Sequence, residues 1–191
     1  MKKIILSTVF ALGLSVSAVK AEPVQYHFDK SHSSIEFRIN HLGFSNFQGE
    51  FQGFDGTLLF DEAKPENSSV NVTIDAASID TDVAALDAHL KKADFFDVAK
   101  FPTLSFKSKS IKVTGENTGE ITGDLTLHGV TKEVVLLTTL NKAALHPMMK
   151  VPAVGFSAST TIKRSDFGVS AYVPAVGDEV TIRIETEAHA K

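Results

Sequence analysis

The sequence predicts an all-β protein: about eight antiparallel strands with one short helical insertion. Three observations carry that prediction. Apolar and polar residues alternate with a period of two through most of the chain, turn signals separate the alternating runs, and a single stretch follows helical spacing instead.

A segment of different character comes first. Lys2 and Lys3 give a positive start, an apolar stretch runs from Ile4 to Val16, small residues Ser17 and Ala18 follow, and Val19-Lys20-Ala21 precedes Glu22. This is the order of a secretory signal peptide cleaved between Ala21 and Glu22. A spanning helix needs about 20 apolar residues, and Ser and Lys interrupt this run sooner. The expectation is export to the periplasm, with residues 22–191 forming a single domain.

The exported part is acidic. The first 21 residues hold three lysines and no acid, so the remainder carries −7 where the whole chain carries −4. That sign opposes phosphate backbones and disfavours nucleic acid as a partner. With no cysteine there is no disulfide framework, thiol nucleophile or thiolate metal site. An exported domain without disulfides rests on its apolar core. Aromatic content is spent on 14 phenylalanines and no tryptophan, so rings without polar atoms must line the interior.

The alternating runs define the strands in order. Ile35, Phe37 and Ile39 alternate with Glu36, Arg38 and Asn40; Val70, Val72 and Ile74 with Asn71 and Thr73; Leu104 and Phe106 with Ser105 and Lys107. Ile121, Gly123, Leu125 and Leu127 continue the pattern, then Phe156, Ala158, Thr160 and Ile162, then Val180, Ile182 and Ile184. Period two with polar partners means one buried and one wet face, as antiparallel sheets permit. Asp55-Gly56, Thr114-Gly115-Glu116-Asn117 and His128-Gly129 have hairpin chemistry, and Lys64-Pro65-Glu66-Asn67 reads as a loop.

The exception is Asp80 to Leu90. Val83, Leu86 and Leu90 fall on one helical face, and Asp80, Thr81 or Asp82 is placed to cap it. Phe95, Phe96, Val98, Phe101 and Pro102 then form an apolar patch. Together they read as a short helix and packed loop closing one end of a β-structure. The strand spacing fits a barrel or a sandwich, and closure into a barrel removes the edges. Gly49, Gly53 and Gly123 lie inside strand-like runs, where missing side chains point to interior space or to bends.

No catalytic or metal motif emerges. None of the seven histidines forms His-x-His or His-Glu-x-x-His, and no serine sits in Gly-x-Ser-x-Gly. Spacing therefore assigns no catalytic residue, cofactor or metal, although it does not address a histidine site assembled from distant positions. Arg164 and Asp166 alternate around Ser165 after an apolar strand, as a rim salt bridge or as a contact to a ligand's polar head.

Several segments together resemble the YceI family. They are Ser31-His32-Ser33-Ser34-Ile35-Glu36-Phe37, His41-Leu42-Gly43-Phe44-Ser45, Ala77-Ser78-Ile79-Asp80-Thr81 and Asp94-Phe95-Phe96-Asp97. Gly123-Asp124-Leu125-Thr126-Leu127-His128-Gly129 and Arg164-Ser165-Asp166-Phe167-Gly168 complete the set, in the family's order. The resemblance implies a lipocalin-like, extended antiparallel barrel and a long pocket for a polyisoprenoid, such as a quinone or prenyl lipid. It also implies a homodimer in some members. The stretch from Asn141 to Ala153 matches least well and is a candidate pocket rim.

On that basis the candidate pocket wall is Phe37, Ile39, Phe47, Phe51, Leu125, Phe156 and Ile162, with His41 and Arg164 as head-group contacts. The expected activity is sequestration or transport of a long-chain isoprenoid without a covalent step. The competing readings are a filled barrel serving as a structural or stress-related envelope protein, and a lipid-modifying enzyme.

Overall fold

The computed structural model describes residues 22–190, so the predicted signal segment, residues 1–21, lies outside the described residues. The strands are β1 (Val24–Phe28), β2 (Ser34–His41), β3 (Ser45–Phe51), β4 (Phe54–Phe60), β5 (Ser69–Asp75) and β6 (Ile79–Asp80). After the helix α1 (Ala84–Leu90) come β7 (Thr103–Val113), β8 (Thr118–Leu127), β9 (Val130–Leu145), β10 (Pro152–Lys163) and β11 (Val176–Ala190).

These eleven strands form eight staves of one closed barrel. β1, β4, β5, β7, β8, β9, β10 and β11 pair in that order, and β11 pairs back onto β1. β11 also pairs with β2, so β1 and β2 lie end to end along it: Phe28 faces Ala188 and Ser34 faces Glu185. β3 and β4 follow the same path, against β2 and β1 respectively, and β6 and β5 line up against β3 and β4. Each stave therefore neighbours the next in sequence, all pairings are antiparallel, and the ring from β1 to β11 closes, while β6 at the end of the β2-β3-β6 extension pairs with β3 alone.

The three interrupted staves break side by side, for local reasons. After β1, Asp29 accepts hydrogen bonds from the Ser31 amide (3.0 Å) and hydroxyl (2.7 Å), which winds Lys30–His32 into a 3-10 turn. Beside it, Gly53 separates β3 from β4; a β-carbon there would stand 2.9 Å from the Ser78 β-carbon. Between β5 and β6, Asp75 caps a second 3-10 turn by accepting from the Ala77 amide at 2.9 Å.

The predicted alternation holds on the inner face. Buried Phe51, Phe54, Ile74, Leu104, Phe106, Leu125, Leu127, Leu136 and Ile162 build the main core with Phe167 and Val169. A smaller core of Tyr26, Leu58, Phe60, Val154, Ala188 and Ala190 fills the opposite end. Full burial of one such side chain contributes roughly 1.5–3 kcal/mol. Two bulges reset the parity. Lys109 is skipped where Ser108 faces Gly123 and Ser110 faces Thr122, and Asn141 is skipped where Gly155 faces Lys142 and Phe156 faces Leu140. Beyond them odd-numbered Ile111 and Ala143 turn inward.

Several expectations need correction. Asp55-Gly56 is no turn; it lies within β4, where Gly56 lets the backbone pass close against the Asn71 carbonyl. Gly49 and Gly123 do not mark empty space. Rings of Phe37 and Phe106 lie across them, at 2.6 and 2.5 Å from where a β-carbon would stand. The other two predicted hairpin turns are present, Thr114–Asn117 between β7 and β8 and His128-Gly129 (φ 51° and 75°) between β8 and β9, and a further one, Leu42-Gly43-Phe44, is entered with φ of 56° and 77°. The helix starts later than predicted, after Val83, with no capping side chain. Instead Asp87 in its first turn reaches back, accepting from the Thr81 amide (2.9 Å) and hydroxyl (2.6 Å).

Candidate functional site

A cavity of about 750 Å³ occupies the barrel interior. The nine residues singled out from the sequence all border it. β2 contributes Phe37, Ile39 and His41, β3 contributes Phe47 and Phe51, β8 contributes Leu125, and Phe156, Ile162 and Arg164 come from β10 and the turn after it. Inward alternation places them there. Phe51, Leu125 and Ile162 are packed into the core, whereas Phe37, Ile39, Phe47 and Phe156 are only half-buried and face the free volume.

Aromatic edges shape the wall. The Phe37 and Phe51 rings stand 6.0 Å apart, Phe51 meets Phe96 edge-on at 5.5 Å, and Phe28 meets Phe54 at 6.2 Å. At the far end Phe60 and Phe156 meet at 5.4 Å and narrow the interior above the smaller core. The helical end is covered by Leu86, His89 and Leu90 of α1, by Phe95 and Phe96 after it, and by Val169 and Tyr172 from the β10–β11 connection. His41, His89 and Arg164 line the helical end and Glu62, Ser68 and Glu116 the other, while Thr138, Thr160 and the Ser33–Thr186 pair add hydroxyls along an otherwise apolar wall.

Arg164 does not bridge to Asp166. Its side chain, 6 % exposed, donates from Nε to the Gly177 carbonyl (2.8 Å) and from its two terminal nitrogens to Val169 (3.0 Å) and Val176 (3.0 Å). It thereby ties the 165–177 connection to the end of β10. Asp178, the nearby acid, is held by the Ser165 amide (2.9 Å) and hydroxyl (2.8 Å), and those two bonds hold its carboxyl below the ordinary range. Burial lowers the guanidinium and Asp178 partly offsets it, but an arginine starts high enough to stay charged. Three of its five N–H donors are engaged, so a buried positive charge with spare donors stands at the cavity's end.

Sequence reasoning missed part of the wall. Phe28, Phe54 and Phe60 line the cavity but sit in staves whose breaks hide the alternation, and His89 and Tyr172 depend on how the helix and a long connection fold over the end. The Asn141–Ala153 stretch is not a pocket rim. From Lys142 onward it borders a separate shallow depression of about 290 Å³.

A closed antiparallel barrel with an apolar interior capped at one end defines a lipocalin-like barrel protein, a class whose interior is either filled by side chains or holds one small ligand. Residues 26–188 match the YceI-like domain, and the chain belongs to that family. It is 44 % identical over 162 residues to a UPF0312 protein of Pseudomonas savastanoi pv. phaseolicola, covering 83 % of this chain and 84 % of that one. The crystal structure of a Campylobacter jejuni YceI protein superposes with a TM-score of 0.74 at 34 % identity, over 80 % of this chain and 90 % of that one. A polyisoprenoid binding domain from Saccharophagus degradans, implicated in plant cell wall breakdown, shares the fold with a TM-score of 0.69 at 14 % identity, over 88 % and 99 % of the two chains.

Proposed function

We propose that this protein binds a long-chain isoprenoid lipid, polyprenyl or quinone-like, inside its barrel and sequesters or carries it in the periplasm without any covalent step. The observation that carries this reading is the cavity of about 750 Å³ inside the barrel, walled mainly by phenylalanine and aliphatic side chains. Its size falls within the roughly 300–1,000 Å³ typical of ligand sites. Each methylene buried there contributes about 0.8 kcal/mol, although the return per atom falls as ligands grow. A wall of rings without polar atoms asks nothing of the ligand but shape. Its polar head fits the helical end, beside the Arg164 charge and the His41 and His89 rings.

The Saccharophagus neighbour's description as polyisoprenoid binding supports the same ligand class. The signal-like segment before Glu22 supports export to the periplasm, and the family resemblance supports a homodimer.

The test is a native mass spectrum of the exported protein purified without detergent, followed by organic extraction. The expected result is a discrete added mass that extracts as an isoprenoid. An unliganded mass that stays unchanged after incubation with quinones and prenyl lipids refutes the reading and favours a structural barrel.

A further inference from the structure

Apart from the cavity, a second group of reactive side chains gathers on the outer wall. Ala188 of β11 is fully buried on the inside, so its neighbours Glu187 and His189 both face outward. Their partners on β10 are Gly155 and Ala153, which leave the wall low at this point. A β-carbon on Gly155 would meet nothing closer than 3.7 Å, so neither crowding nor backbone shape requires glycine here; its effect is to leave the depression open. The turn between β9 and β10 folds His146 over it.

The three side chains converge. His189 Nε2 lies 2.9 Å and His146 Nε2 3.4 Å from the same Glu187 oxygen, Oε1. One ligand atom from each residue lies within 4.8 Å of the others. Tetrahedral Zn²⁺ with bonds of about 2.0–2.1 Å sets its ligand atoms about 3.3–3.4 Å apart; the His146–Glu187 edge of 3.4 Å already matches, and the His189–Glu187 edge of 2.9 Å opens by about 0.4 Å to fit. The side chains are partly sheltered, with 17 % exposure for His189, 19 % for His146 and 33 % for Glu187. Directly across the closing seam, His27 of β1 faces His189, and its Nε2 is buried with no hydrogen-bond partner among the described residues.

We propose that His146, Glu187 and His189 bind a late first-row divalent cation, Zn²⁺ or Cu²⁺, on the outer wall where the β9–β10 turn meets β11. Two imidazoles and a carboxylate suit this class of metal. Without the cation, Glu187 Oε1 is hydrogen-bonded to His189 Nε2 at 2.9 Å and lies 3.4 Å from His146 Nε2. On binding, each ring coordinates through an unprotonated Nε2 and carries its remaining proton on Nδ1. His146 Nδ1 then gives up its acceptor role toward the Met148 (3.3 Å) and Met149 (3.1 Å) amides, two long bonds. The turn around Pro147 re-sets as the cation binds. Lys142, exposed in the same depression, opposes the cation; Glu187 supplies the compensating charge.

The test is calorimetric titration of the tag-free protein with zinc chloride and, separately, copper chloride. H146Q, E187Q and H189Q are titrated alongside, with H128Q at the opposite end of the barrel as control. The expected result is one cation per chain, with affinity at least about tenfold lower in each site variant, since loss of a supporting contact alone typically costs 10–100-fold. H128Q should bind as the parent does. Circular dichroism of the metal-free variants separates a lost ligand from a lost fold, and shifts of the His146 and His189 ring nitrogens in an NMR titration locate the cation. Saturation by copper alone, lost in H189Q, upholds the site and selects that metal. No saturable binding of either ion, or binding that survives H146Q and H189Q with the two rings unshifted, overturns the proposal.

Discussion

Replacing Arg164 with methionine keeps a long apolar stem and removes the guanidinium that holds three carbonyls at 2.8, 3.0 and 3.0 Å. A hydrogen bond to a charged group contributes roughly 1.5–3 kcal/mol. The bond to the Val169 carbonyl is buried and its loss counts in full, about 2–3 kcal/mol, whereas the Gly177 and Val176 carbonyls are part-buried and regain water for about 1 kcal/mol each. Added apolar burial returns about 1 kcal/mol, leaving a net loss of about 3–4 kcal/mol. Lysine has no planar fork and reaches fewer of these carbonyls, so R164K should fall between parent and R164M, about 2 kcal/mol down. Urea melts followed by circular dichroism measure this, provided the slope with denaturant is unchanged. Limited proteolysis should then cut first within residues 168–176. A loss under about 1 kcal/mol in R164M would show that the connection is held by packing alone and that the arginine is free for another task.

Three further outcomes test the barrel and its wall. Ala158→Trp fills the cavity from the middle of β10; the fold should survive, and any co-purifying lipid in the native mass spectrum should fall to a small fraction of the parent's. Gly123→Ala drives a β-carbon toward the Phe106 ring (2.5 Å) and the Lys107 carbonyl (2.6 Å), so thermal melting should show about 1–3 kcal/mol of destabilisation. The Asp29–His32 pair, 2.8 Å apart, should give a pH-dependent contribution. The His32–Asp29 hydrogen bond raises His32 above its ordinary 6.5, so that part is complete below 6.5 and fades as pH climbs through the raised value. The bonds from His32 and Ser31 depress Asp29 well below its ordinary 3.8, so its part is complete above 3.8 and fades as pH falls toward the depressed value. The melting-temperature difference between parent and H32Q should therefore be largest between about pH 4 and 6.5; a flat difference would remove the pair from the account.

Most of the barrel was legible because alternation is a local signal that burial enforces. Leu125 and Leu127 on β8, and Phe156 to Ile162 on β10, point where their parity puts them. What escaped has physical causes. The bulges at Lys109 and Asn141 change parity within a strand, visible only as an odd spacing between inward residues such as Phe106 and Ile111. Asp55-Gly56 has turn chemistry, but the close Asn71 carbonyl uses the glycine for backbone approach instead. Arg164 could be named as a polar group near the pocket, yet its carbonyl partners come from a connection whose path no pattern specifies. His146, Glu187 and His189 meet only because a turn folds back over a low stretch of wall, so no sequence spacing announces them.

The ring of staves has a consequence for how the protein comes to exist. Every pairing but those made by β1 and β2 with β11 joins staves that follow one another along the chain, so the wall can assemble stave by stave at modest loop-closure cost. Joining β11 to the first stave brings together the two ends of the domain, Tyr26 beside Ala190, and is the step of by far the longest sequence separation. Until it happens the sheet is an open trough with its greasy side to the water and no compartment to fill. If the proposed lipid binding holds, a chain-like molecule laid in that trough would favour rolling it shut and couple ligand capture to the last folding step.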